Sequence, residues 1–163
     1  MFGGTNYIDN IPIAFKLDLL QNKWFKLPST SVVITHCSME IFKNSIIISG
    51  RHVSNIFKYD LNIESHSDLY LEDLDLDTYK GIFSGGSRLY IFQNSNFIYE
   101  SEIDNDYEWN KIGNFNYEFS MFPFKKFNDG SVFISLSYKA KLMLYKFDLK
   151  HKNFKKLKDI KGK

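Results

Sequence analysis

A single cysteine, Cys37, stands in 163 residues, so no disulfide can close within the chain. None of the fourteen asparagines opens an Asn-x-Ser/Thr sequon. Both absences suit a reducing compartment, and a cytoplasmic location is expected. No apolar run approaches the about 18 residues that a membrane-spanning helix needs. The opening Met1-Phe2-Gly3-Gly4-Thr5 lacks the basic and apolar regions of a signal peptide. No membrane partner is therefore expected. His36, His52, His66 and His151 are far apart and lack His-x-x-His or His-Glu-x-x-His spacing, so no metal ligands are assigned. There is no Gly-x-Ser-x-Gly, and Gly81 to Gly86 lacks the lysine of a phosphate-cradling loop. The residues offer no catalytic set and no cofactor site.

What the chain has in quantity is apolar and aromatic material, 44% and 17% of its residues, ample for one packed β domain. This material recurs with a period. Leu17-Asp18 is followed by Trp24 and Leu27, Tyr59-Asp60 by His66 and Leu69, Ile103-Asp104 by Trp109 and Ile112, and Phe147-Asp148 by Phe154 and Leu157. The acids are 42, 44 and 44 residues apart. A period in the forties marks units that cannot bury their apolar face alone and stack on the next.

A second register agrees. The runs starting at Ile46, Leu89 and Val132 are spaced 43 residues apart, each behind a turn signal: Lys43-Asn44, Gly85-Gly86 and Asn128-Asp129-Gly130. Such continuous runs predict strands buried on both faces, whereas Ile56 to Asp60 and Leu142 to Asp148 partly alternate, as half-buried strands do. Each unit reads as four strands. They are predicted at 37–42, 45–50, 55–61 and 66–71, then 79–84, 88–93, 97–104 and 108–113, then 119–127, 131–136, 142–149 and 153–158. The first unit lacks its leading strand: Met1-Phe2-Gly3-Gly4 stands where its second strand ends, and its third and fourth strands follow at 11–18 and 24–28.

Phe2-Gly3-Gly4, Lys16-Leu17-Asp18, Trp24 and Leu27-Pro28 together resemble a kelch repeat, the four-stranded blade of a β-propeller. The likeness covers the whole chain and weakens along it: Ser49-Gly50, Phe92-Gln93 and Leu136-Ser137 replace the glycine doublet, and His66 and Phe154 replace tryptophan. The Gly-His and Trp-Asp dipeptides of WD40 units do not occur. The resemblance implies an all-β, kelch-like propeller fragment of about three and a half to four blades, at 1–30, 31–74, 75–114 and 115–163. It also implies burial of Trp24, Trp109 and Phe154 at equivalent positions, with Ile47, Tyr90 and Phe133 on inner strands.

Charge is unevenly spread. Residues 139–163 hold ten lysines against Asp148 and Asp159, about +8, while residues 1–138 sum to −6. A basic stretch can be a nucleic-acid footprint. Here its rings are spent in the repeat and its lysines fall on strands, where they blunt an edge. Nucleic acid is not expected. Asp73, Asp75 and Asp77 have the spacing that opens an EF-hand loop, but Thr78 and Ser84 stand where that loop needs glycine and glutamate, so the stretch reads as a wet connector.

Function is then expected in the loops of a rigid frame. Kelch resemblance implies that the face formed by the loops between second and third strands and by those from a fourth strand to the next blade, or the mouth of the central channel, holds a protein partner, as in substrate receptors of ubiquitin ligases or cytoskeletal adaptors. In this chain the loops between second and third strands run at 5–10, 51–54, 94–96 and 137–141. They offer Tyr7, Arg51, His52, Asn94 and Tyr138 as partner-binding residues, with aromatic and arginine side chains the commonest anchors. Self-association through open blade edges is also expected. The competing class is a segment of an oxidase-like propeller enzyme whose catalytic residues lie outside this chain.

Overall fold

The structure, a computed structural model, describes residues 14–28, 35–51, 55–69, 80–93, 97–102, 108–114, 124–127, 131–138 and 141–160. The chain is all-β. Its strands form four antiparallel sheets, each a meander in which consecutive strands are neighbours. β1 (Ala14–Asp18) and β2 (Lys23–Leu27) form a two-stranded sheet. The second sheet is β3 (Thr35–Phe42), β4 (Ser45–Arg51), β5 (Ile56–Asp60) and β6 (Ser65–Leu69). The third is β7 (Lys80–Gly85), β8 (Arg88–Gln93), β9 (Phe97–Glu102) and β10 (Trp109–Asn114). The fourth is β11 (Phe124–Lys126), β12 (Ser131–Tyr138), β13 (Lys141–Asp148) and β14 (Asn153–Ile160). Among the described residues the strands follow the expected order, and the second-strand end expected at 1–4 lies outside them.

The repeated acid has a local cause. In three hairpins the last residue of one strand is Asp, and its Oδ1 accepts the backbone N–H groups two and three residues on. Asp18 takes Leu20 and Gln21 at 2.9 and 3.0 Å. Asp60 takes Asn62 and Ile63 at 2.8 and 3.3 Å, and Asp148 takes Lys150 and His151 at 2.8 and 3.1 Å. This is the Asx-type turn that lets a short carboxylate stand in for missing backbone acceptors. The fourth turn residue then sits in the left-handed region: Asn22 at φ 48°, Glu64 at 48° and Lys152 at 51°. The ring that follows pairs with the apolar residue before the acid, as Trp24 with Leu17, His66 with Tyr59 and Phe154 with Phe147. The third sheet departs from this, because Trp109 pairs with Ser101 and a bulge follows between Lys111 and Gly113; Ile103 and Asp104 lie outside the described residues.

The two-residue hairpins also follow local rules. Lys43 in Lys43-Asn44 and Gly86 in Gly86-Ser87 each take positive φ, 50° and 62°. Gly85 is closely packed: a Cβ there would lie 2.7 Å from Leu149 Cδ1, so the leucine side chain would have to shift.

The chain divides into two compact units, Met1–Asp77 and Thr78–Lys163. In the first, Leu27, Ile48, Phe57 and Tyr59 form a buried cluster with Cys37 and Ile46 packed against it. Burial pushes the pKa of the half-buried Cys37 thiol up. In the second unit, Phe83, Tyr90, Phe92, Ile98, Val132, Ile134, Met143, Tyr145 and Phe147 cluster between the third and fourth sheets. Phe147 meets Phe83, Tyr90 and Phe92 edge-on, with centroids 6.3, 6.1 and 5.5 Å apart.

Two expectations are corrected. Trp24 is 54% exposed, because β2 belongs to a two-stranded sheet and its indole meets Phe15 edge-on at 6.5 Å, outside the buried cluster. Phe154, at the same repeat position, lies 4.5 Å from Phe147 and 5.8 Å from Phe92 and packs on the core. Phe133 is half-buried, since β12 alternates where β8 is buried from Leu89 to Gln93. Its Val132 and Ile134 face the core, and Phe133 faces the other way. Trp109 is half-buried, while Ile47 and Tyr90 are buried as expected.

Candidate functional site

Among the expected partner-binding residues, Arg51 and Tyr138 fall within the described backbone. Arg51 is the last residue of β4, opposite Thr35. Tyr138 is the last residue of β12, opposite Lys141, so the connection to β13 shrinks to Lys139-Ala140. Both strands run further than the sequence suggested, which moves these two residues from the loops to the strand ends that carry them. They occupy the same place in their sheets but belong to different units. Tyr7, His52 and Asn94 lie outside the described residues, as does the acidic connector 72–77.

The third sheet shows at that place a residue that sequence reasoning passed over. Gln93 ends β8, paired with Lys80 and with Phe97, directly before 94–96. It is 1% exposed, and neither its Oε1 nor its Nε2 has a hydrogen-bond partner among the described residues. A buried amide without partners costs about 1–3 kcal/mol for each group left unpaired. The available signal was Gln93 itself, a polar residue closing an otherwise apolar run.

A second polar feature lies wholly in the unit 78–163. Arg88, Glu100, Glu102, Glu108, Asn110 and Lys152 line an open cleft of about 200 Å³. Strand register explains the grouping: Arg88 pairs with Glu102 across β8 and β9, and Asn110 with Glu100 across β9 and β10. Lys152 arrives on the β13–β14 turn through its left-handed backbone. Arg88 Nη1 donates to Glu100 Oε1 at 3.0 Å, Arg88 Nη2 donates to Glu102, and Lys152 donates to the same Glu100 oxygen. Glu100, buried, thus carries two cations. Its charge raises the Arg88 pKa, and burial, followed by Glu100, raises that of Tyr90. The charges are engaged with one another, so this cluster is a clamp between the third sheet and the β13–β14 turn.

Among the described residues, no three His, Cys, Asp or Glu side chains converge to hold a metal ion. No helix among them is long and apolar enough to cross a membrane. No protein-family model matches the chain, and no curated protein matches it.

Proposed function

We propose that the chain is a kelch-like propeller segment that holds a protein partner on the face formed by the loops between second and third strands. Gln93 carries the reading. A fully buried amide with no partner among the described residues, at the base of one of these loops, is a stability cost of the kind found at functional sites. The division of labour within the repeat supports it. The recurring residues, the turn aspartates and core rings, serve the frame, whereas Arg51-His52-Val53-Ser54, Asn94-Ser95-Asn96 and Lys139-Ala140 share no pattern.

The test is affinity capture from cell extract with paired baits. Arg51→Glu should lose the partner by about 2 kcal/mol or more, the scale of an arginine hot spot, with an unchanged melting temperature. Gln93→Leu should weaken capture while raising thermal stability, because it removes two unpaired polar atoms. A partner retained equally by both variants would place the site elsewhere.

A further inference from the structure

The last strands of the four sheets differ in how their far edges are guarded. β2 carries Lys23 and Lys26, β10 carries Lys111, and β14 carries Lys155 and Lys156. Register shifts also interrupt the pairing of β9 with β10 and of β13 with β14. Lysines and bulges are the devices that keep an edge from pairing with another chain. β6, Ser65-His66-Ser67-Asp68-Leu69, has neither: it holds no lysine, and it pairs with β5 one for one from Ile56 with Leu69 to Asp60 with Ser65. It ends its sheet, so no strand among the described residues covers its far edge. Ser65, Ser67 and Asp68 are exposed, and His66 is half-buried. Asp68 Oδ2 accepts from Asn55 Nδ2 at 3.1 Å, while Asp68 Oδ1 and the His66 ring have no hydrogen-bond partner among the described residues.

We infer that β6 pairs antiparallel with β6 of a second copy of the chain, about a two-fold axis through Ser67. A two-fold normal to the sheet keeps each side chain on its own face, so the axis passes through a residue. Centred on Ser67, the register sets His66 of each copy opposite Asp68 of the other, Ser67 opposite Ser67, and Ser65 opposite Leu69. An imidazole N–H opposite a carboxylate and a hydroxyl opposite a hydroxyl are favourable cross-strand pairs. The other registers within the strand set like against like. Centring on Asp68 opposes two aspartates, centring on His66 opposes two imidazoles, and centring on either end keeps a single pair. β6 is therefore self-complementary in the one register that uses its whole length. An unrelated extended peptide would meet the same edge without that match. The pairing is independent of the loop-face reading, whose Arg51 ends β4.

Sedimentation of the full chain across a dilution series tests it. A discrete dimer should form, and the β6 amides should exchange with solvent more slowly in the dimer than in the monomer. Ser67→Lys opposes two ammonium groups at the axis and should weaken dimerisation about tenfold or more. The melting temperature should not fall, because Ser67 is exposed. Charge exchange tests the register. His66→Glu alone and Asp68→Lys alone should each weaken the dimer, and their equimolar mixture should restore it. In the mixed pair glutamate faces lysine on one side of the axis and histidine faces aspartate on the other. Damage to either fold would not be repaired by mixing. Replacing Leu19 and Leu20 by serine should leave this dimer in place, which separates strand pairing from adhesion of the turns. The inference falls if the wild type stays monomeric throughout, or if Ser67→Lys dimerises as the wild type does. It falls equally if the mixture gains nothing over its components, or if the leucine replacement removes the dimer.

Discussion

The same aspartate-capped hairpin occurs in both compact units, and its apolar residues meet opposite fates. In Met1–Asp77, Leu19 and Leu20 on one turn and Ile63 on another are 82, 99 and 73% exposed. In Thr78–Lys163 the counterpart of Leu19 is Leu149, which is half-buried against Gly85 and the aromatic cluster. The rest of that turn is Lys150, His151 and Lys152. Leading strands differ in the same way: β3 exposes Ile41 and Met39, whereas β7 buries Ile82 and Phe83. The turn is set by an aspartate and a left-handed residue, within four residues of chain. Burial is set by whether another sheet lies across from the side chain. Local chemistry repeats faithfully, and packing does not.

The largest effect should come from the better-packed unit. Phe147 is wholly buried among four aromatic rings. Phe147→Ala should cost about 3–5 kcal/mol, the transfer and cavity cost of a core ring, read from urea unfolding. A loss under about 1 kcal/mol would mean that the cluster is not the core of its unit.

Next is the pair of rings that share one repeat position. Phe154→Ala should cost about 2 kcal/mol, since it removes a half-buried ring tilted against Phe147. Trp24→Ala should cost less than about 1 kcal/mol, because half the indole is already in water. Equal costs would overturn the contrast between the units and return Trp24 to the core.

The strand plan was legible because it rests on short-range signals. Val, Ile and aromatic runs behind Lys43-Asn44 and Gly85-Gly86 mark β4 and β8, and the observed strands agree with expectation to within a few residues. β11 is the exception at Phe124–Lys126, shorter than the expected 119–127, of which 119–123 lie outside the described residues. The acids were legible as a period but not as turn caps, since nothing in a period says which atom accepts which hydrogen. Ring burial was not legible at Trp24 and Phe133, because alternation tells which residues share a face and not which face is covered. Of the candidate site, the strand ends at Arg51 and Tyr138 could be read. Gln93 could be read only as a polar residue closing an apolar run, because its lack of partners among the described residues leaves no mark in the sequence.

The turn itself ranks third. Asp60→Ala removes the acceptor of two backbone N–H groups and should cost about 1–2 kcal/mol, whereas Asp60→Asn keeps an acceptor oxygen and should cost much less. In the second unit the same turn should respond to acid. The His151 side chain, then the backbone N–H groups of His151 and Lys150, lower the Asp148 pKa from an ordinary 3.8 to about 2. A depressed value means that the stabilisation is complete above the ordinary carboxylate range and is lost as pH falls from about 4 to about 2. Asp148→Asn should therefore flatten that part of the acid-unfolding curve. A curve unchanged by the substitution would show that the pair does not form.

The smallest effect on stability tests the exposed side of the comparison. Leu20 is 99% exposed at the tip of the β1–β2 hairpin, so Leu20→Ser removes no buried surface. The change in unfolding free energy should stay within about 0.5 kcal/mol. Its consequence should appear instead in association. Leu19, Leu20 and Ile63 are apolar residues on the turns of one unit, and two contacts tie those turns down. Lys16 Nζ on β1 pairs with Glu64 at 2.6 Å, and Leu61 N–H donates to Asn44 O at 2.9 Å. Exposed apolar groups held in place are the kind that adhere to one another. Replacing Leu19 and Leu20 together by serine should lower the apparent mass in sedimentation at high protein concentration, with no shift in melting temperature. The matching change Leu149→Ser should do the reverse, costing stability through its lost contact with the core while leaving association unchanged. If both turns respond alike, burial does not separate the two units in solution.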